Sequence, residues 1–229
     1  MATVGVGLAQ LWDITDPANP VLRSTLPGYS DEAWVVVISP DGRTMVISTD
    51  TASRLWDIAD PGRPREIPFR FGGTDTVQPD AFSPDGRMLA TVSGERTVRL
   101  LDMSAPDQPR QLATITGYGD VVYSAVFSAD GRRLATGDGD GTTRLLDIGD
   151  PGNPRELGVF SSPPGDGVDR VAFSPDGHTL ASGGIGGVVR FWPTVINQVI
   201  NRVCAVAHPR ITESEWDQYL PGVPYHALC

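Results

Sequence analysis

The sequence predicts an all-β fold built from repeated antiparallel hairpins, arranged as a propeller or another repeat array, and three observations predict it. One stretch is written four times: ISPDGRTMVISTDTASRLWD at 38–57, FSPDGRMLATVSGERTVRLLD at 82–102, FSADGRRLATGDGDGTTRLLD at 127–147 and FSPDGHTLASGGIGGVVRFW at 173–192. The turn serines Ser39, Ser83, Ser128 and Ser174 lie 44, 45 and 46 residues apart, a period in the range of propeller-type arrays. Each copy runs from apolar residues into a turn and out through two short strands.

The turn explains itself chemically. In Ser-Pro-Asp-Gly the proline presets φ near −65°, and the glycine takes the left-handed position that closes a bulged three-residue hairpin. First strands are expected at 34–38, 77–82, 122–127 and 168–173, and their apolar character suits an innermost position covered on both faces. Second strands such as Leu134-Ala135-Thr136-Gly137 and Leu180-Ala181-Ser182-Gly183 use small residues, which fit where neighbouring sheets converge on an axis.

A connector of one kind follows each unit: DPANP at 16–20, DPGRP at 60–64, APDQP at 105–109 and DPGNP at 150–154. Two prolines at this spacing fix φ twice and cannot donate to a ladder, so they mark a rigid loop at a sheet edge. Short fourth strands are expected at 65–69, 111–115 and 156–160, where a proline start blunts the edge against stray pairing. At the other end of the chain, Gln10-Leu11-Trp12-Asp13 aligns with Arg99-Leu100-Leu101-Asp102, and Met1-Ala2-Thr3-Val4 with Leu89-Ala90-Thr91-Val92. The chain is therefore expected to start inside a repeat, with 21–26 as that unit's fourth strand.

Past Pro193 the period changes. Ile196, Val199, Ile200, Val203 and Ala207 recur at helical spacing. A second helix is expected from Thr212, with Thr212 and Glu215 as a capping box, ending before Pro221.

The Ser-Pro-Asp-Gly turn, the Leu-Ala-Thr or Leu-Ala-Ser that follows it, and Arg54-Leu55-Trp56-Asp57 together resemble the WD-repeat β-propeller family over residues 1–192. The resemblance implies four-stranded antiparallel blades. Their expected limits are a partial blade at 1–27, blades at 28–71, 72–116 and 117–164, a three-stranded last blade at 165–192 and a helical tail at 193–229. That is about four blade-equivalents in an incomplete, open propeller. An open arc leaves apolar blade faces at both ends and predicts self-association; the alternative is closure, with 21–26 completing the last blade. The sequence departs from the family where a Gly-His dipeptide usually precedes each unit. Here the stretches read Gly28-Tyr29, Gly72-Gly73 and Gly117-Tyr118. In the family that His joins a buried hydrogen-bond chain to an Asp in the turn between second and third strands, for which only Asp50 and Asp140 are candidates. Cohesion is then expected mainly from apolar packing between blades.

Bulk properties narrow the function. The formal charge is −10 and all 18 basic residues are Arg, a balance that argues against nucleic-acid and anionic-membrane surfaces; all-Arg usage fits a GC-rich coding sequence. No apolar run is long enough to cross a bilayer, and residues 1–4 carry no signal-peptide pattern, so a cytoplasmic protein is expected. Cys204 and Cys229 lie outside the repeats and form no metal-ligand motif; free thiols are expected in a reducing compartment, the alternative being a disulfide that pins the extreme C-terminus onto the first tail helix.

Reactive constellations are not evident. His178, His208 and His226 are scattered without Cys, Asp or Glu at ligand spacing, so no metal or cofactor is implied. The acidic run Gly137-Asp138-Gly139-Asp140-Gly141 lacks the later bidentate Glu of a calcium loop and reads as a tight turn. Asp57, Asp102 and Asp147 sit at strand-to-connector junctions, where a carboxylate satisfies free backbone N–H groups. By resemblance, the functional surface is the ring where first strands enter around the axis, at Trp34, Gln78, Tyr123 and Asp169, with Arg170 beside the last. Trp, Tyr and Arg dominate interface energetics; the competing reading is that Trp34 and Tyr123 pack between blades. These features predict a non-enzymatic scaffold binding a protein or peptide. The tail resembles the segment after the last repeat in large multidomain proteins of GC-rich bacteria, where the propeller sits behind a signalling module such as a protein kinase or STAND-type NTPase. A propeller hydrolase or lactonase, and a truncated gene product without independent function, are the alternatives.

Overall fold

In a computed structural model of the chain, the described residues are 1–29, 32–49, 52–69, 77–94 and 96–195, and they form five antiparallel sheets in sequence order. The first holds β1 (Ala2–Gly5), β2 (Leu8–Asp13) and β3 (Val21–Leu26). The second holds β4 (Ala33–Ile38), β5 (Thr44–Thr49), β6 (Ser53–Asp57) and β7 (Arg65–Ile67). The third is β8 (Val77–Phe82), β9 (Met88–Ser93), β10 (Thr97–Asp102) and β11 (Arg110–Ile115). The fourth is β12 (Val122–Phe127), β13 (Arg133–Asp138), β14 (Thr142–Asp147) and β15 (Arg155–Ser161), and the fifth is β16 (Arg170–Phe173), β17 (Thr179–Gly183) and β18 (Val189–Pro193). Every strand pairs with its neighbour in sequence.

The first sheet has the register of second and third strands elsewhere. Ala2 faces Leu11 and Thr3 faces Gln10, as Ala90 faces Leu100 and Thr91 faces Arg99 in the third sheet. β3 pairs with β2, so among the described residues it does not complete the last sheet, and the five sheets form an open series. Neighbouring sheets touch through β1 and β4, β4 and β8, β8 and β12, and β12 and β16. The expected helices, with Cys204, Cys229, His208 and His226, lie outside the described residues, as does Asp50.

Each turn is closed by its own side chains. The Ser39 hydroxyl donates to Asp41 Oδ1 at 2.6 Å and accepts from the Thr44 amide at 2.9 Å, and Asp41 Oδ1 accepts from the Arg43 amide at 3.0 Å. Ser83 with Asp85, Ser128 with Asp130, and Ser174 with Asp176 repeat this geometry. Gly42, Gly86, Gly131 and Gly177 adopt φ between 67° and 71°, which a side chain would strain. The serine hydrogen bond is the main reason each of these four aspartates lies below the ordinary carboxylate range.

Apolar packing joins successive sheets. Ala9, Leu11 and Leu26 of the first meet Met45, Ile47 and Trp56 of the second. Val46, Leu55 and Ile67 meet Leu89, Leu101 and Met103. Ala90, Val98 and Leu100 meet Val122, Leu134 and Leu146, and Ala135 meets Val168, Val171 and Leu180. Small second-strand residues are needed there: a Cβ on Gly137 would stand 2.3 Å from Val168 Cγ1.

One expectation is corrected. Second strands, not first, are the most enclosed: β5 is buried at every residue and β9 and β13 at all but one, whereas β4 is buried at one residue of six and β12 at three of six. A second strand is sandwiched by sheets on both faces and by strands on both edges. A first strand has one edge on the axis, which the open series leaves accessible. Phe127 is accordingly only partly buried, packed at the margin of the cluster that contains Leu134.

Candidate functional site

Five side chains were singled out for the ring, and the structure gathers most of them. Gln78, Tyr123, Asp169 and Arg170 line one cleft of about 170 Å³ together with Val35, Pro79 and Asp80. These residues come from the early parts of β4, β8 and β12 and the start of β16, because equivalent ends of the first strands converge where the sheets approach the axis. Trp34 stands beside Val35 on β4 and is 58% exposed. Tyr123 is 45% exposed. An exposure this large does not fit Trp34 or Tyr123 as enclosed inter-blade packing.

Asp80 was not singled out, although the sequence holds a signal for it. Counted back from the turn serine, its place holds Val36, Ala125 and Val171 in the other units, so the acid stands out among apolar residues; in the ladder Pro79 faces Thr91 as Ala125 faces Thr136, which leaves Asp80 as the extra residue of a bulge. Pro79 and a register shift between Pro79 and Ala81 turn the carboxylate toward the fourth sheet. There it accepts the Ala125 amide and lies within hydrogen-bonding reach of Ser124. Burial is the dominant influence on it and raises it above the ordinary carboxylate range, against the pull of the Ala125 amide and Arg170.

The same corner ties the fourth and fifth sheets together. Arg170 Nη1 donates to the Tyr123 carbonyl at 3.0 Å and lies 3.7 Å from Asp80 Oδ1, and the Val171 amide approaches Ser124 Oγ at 3.4 Å. Val168 N donates to the Asp138 carbonyl at 2.9 Å. The carboxyl of Asp138 is 0% exposed. Burial, then its neighbour Asp140, raises it to about 7, while Asp140 is held low. Asp140 thus partners Asp138 and the Thr142 amide.

Where Gly-His was missing, tyrosine and arginine fill the space. The Tyr29 hydroxyl accepts a hydrogen bond from Trp56 Nε1 at 2.7 Å, and the Arg54 guanidinium lies 5.1 Å from the Tyr29 ring centroid. Tyr118 is covered likewise by Arg144 at 4.3 Å, and burial pushes its hydroxyl up to about 12. Cohesion is therefore apolar packing supplemented by a tyrosine–arginine stack, with both cations inside the roughly 6 Å reach of a cation–π contact. The junction aspartates behave as expected: Asp57, Asp102 and Asp147 accept the amides of Ala59, Ser104 and Gly149. They also pair with Arg65, Arg110 and Arg155 at the start of the fourth strands, a partnership the spacing alone did not disclose.

Of the Gly137–Gly141 run, Gly137 and Asp138 end β13 and residues 139–141 turn into β14, and among the described residues no group of three His, Cys, Asp or Glu side chains is placed to hold a metal ion. No helix of the described residues is long and apolar enough to cross a membrane. No curated protein matches the chain. The family model for the WD domain, G-beta repeat, matches residues 77–102, 109–147 and 155–193. The second and third matched stretches begin near an outer strand and run through the first three strands of the next sheet, so the sequence unit staples one sheet to its successor. Register, turn and family unit agree: over residues 77–193 this chain belongs to the WD40-repeat family.

Proposed function

We propose that the chain is a protein-interaction scaffold that docks a protein or peptide at the cleft formed by Gln78, Tyr123, Asp169 and Arg170, with Trp34 beside it. WD40 repeats commonly bind proteins and are generally non-catalytic scaffolds. The observation that carries the placement is the convergence of residues from four successive sheets on one opening, the exposed Tyr123 among them and the exposed Trp34 next to its lining residue Val35. Large aromatic and Arg side chains at a concave surface supply most of the energy of protein interfaces. The setting is a cytoplasmic signalling or regulatory protein of a GC-rich bacterium, whose remaining parts or clients supply the partner; the all-Arg basic residues and the resemblance of the tail to that of large multidomain repeat proteins support this reading.

A photo-crosslinking amino acid placed at Tyr123 tests this in the native host, with the same group at Arg110 on an outer strand as control. One dominant adduct from position 123, lost when Gln78→Trp fills the cleft, is expected. Equal adducts from both positions, or substrate turnover by the purified chain, would overturn it.

A further inference from the structure

We infer that the cleft receives one basic side chain, an arginine or lysine of the partner, held by Asp80 on its floor and Asp169 at its rim. This inference rests on the docking reading above and names the chemistry of what docks.

The cleft of about 170 Å³ admits a single long side chain and not a folded element. Its floor is a carboxylate only 16% exposed, carried by the extra residue of a bulge between Pro79 and Ala81. A buried carboxylate costs folding free energy unless a cation or donors compensate it. The resident cation compensates it incompletely. Arg170 is 3.7 Å from Asp80 Oδ1, beyond direct hydrogen-bonding distance, its side chain is 74% exposed, and its Nη1 is committed to the Tyr123 carbonyl. A guest guanidinium or ammonium entering the cleft can reach Asp80 and Asp169 while Arg170 stays out in solvent.

The aromatic wall favours the same guest. Tyr123 presents an accessible ring, and this chain already stacks arginine on tyrosine twice, at Tyr29 and at Tyr118. An anionic guest would meet two carboxylates against one arginine on a chain of net charge −10. An apolar guest would seal Asp80 from water and leave its charge only the Ala125 amide, Ser124 and the distant Arg170.

The test uses the full chain and four peptides, acetyl-Gly-Ala-X-Ala-Gly-amide with X as arginine, lysine, citrulline or glutamate. Binding is read from amide NMR shifts of Tyr123 and Ala125. The arginine and lysine peptides are expected to bind and the citrulline and glutamate peptides not to. Asp80→Asn should weaken the arginine peptide about tenfold or more, since a charge-assisted contact is lost. Asp169→Asn, which leaves the buried floor intact, should weaken it in the same direction, and Arg170→Ala should preserve or tighten it. Binding of the glutamate peptide that Arg170→Ala abolishes would overturn the inference, as would equal response to all four peptides or response to none. A partner crosslinked at Tyr123 whose binding survives both Asn variants would remove this inference and leave the docking reading standing.

Discussion

Trp56 Nε1 donates a 2.7 Å hydrogen bond to the hydroxyl of Tyr29, 27 residues earlier, and both side chains are buried. A buried indole N–H left without an acceptor keeps its full desolvation cost, about 1–3 kcal/mol. Tyr29→Phe should therefore lower the unfolding free energy by that amount. Adding Trp56→Phe to Tyr29→Phe should return part of the loss, because the orphaned donor is gone. Urea denaturation of the two variants measures both steps.

Gly137 and Val168 probe the seam between the fourth and fifth sheets. A methyl at Gly137 would meet Val168 Cγ1 at 2.3 Å and Val171 Cγ1 at 3.1 Å. Gly137→Ala should cost about 1–3 kcal/mol by overpacking. Val168→Ala in the same chain should relieve much of it, a coupling that thermal unfolding of the four species of a double-mutant cycle would resolve.

How far the sequence carries is visible in these same residues. The turn serines and glycines were legible because a bulged hairpin demands those residue types at those places, and the small second-strand residues because converging sheets demand them. Trp56 and Tyr29 were not legible as partners, since a tyrosine in place of the expected histidine gives no sign of which donor it will meet. Asp80 was hidden for a different reason. Its effect depends on a local register shift that aims it at the next sheet, and one sequence shows the odd residue without its direction. The burial of the strands was misjudged because apolar content reports what a strand tolerates, while enclosure depends on which neighbours an open series provides.

The Asp138 carboxyl sets a pH dependence. Its folded value, about 7, lies above the unfolded 3.8, so the folded chain binds the extra proton. That contribution is full at and below the unfolded value and is lost as pH rises from about 4 through 7, with a slope of at most about 1.4 kcal/mol per pH unit. Asp138→Asn removes the titration and can still donate to Asp140. The variant should gain stability relative to the natural chain from pH 4 to pH 8, as followed by chemical denaturation across that range. The turn aspartates act in the opposite sense and lose their contribution only in more acid solution, as pH falls through their lowered folded values.

At the far end of the series Phe191 is 66% exposed, with Val189 and Ile185 also on the surface. In the third sheet the position equivalent to Phe191 is Leu100, fully buried against the next sheet. The purified chain should self-associate in a concentration-dependent way, and Phe191→Ser with Val189→Thr should reduce it. Light scattering over a concentration series checks this; a salt-independent monomer of the natural chain would contradict it.

Because, among the described residues, each strand's ladder partners are the strands adjacent in the chain, none of these leaflets waits for a distant segment to arrive. As the polypeptide leaves the ribosome, each group of strands can close before the following group is made, and the new leaflet then finds a finished surface to settle on. Assembly in order of synthesis keeps loop-closure entropy small at every step. It also means that a lesion in one turn delays its own leaflet and the next, leaving those already made intact.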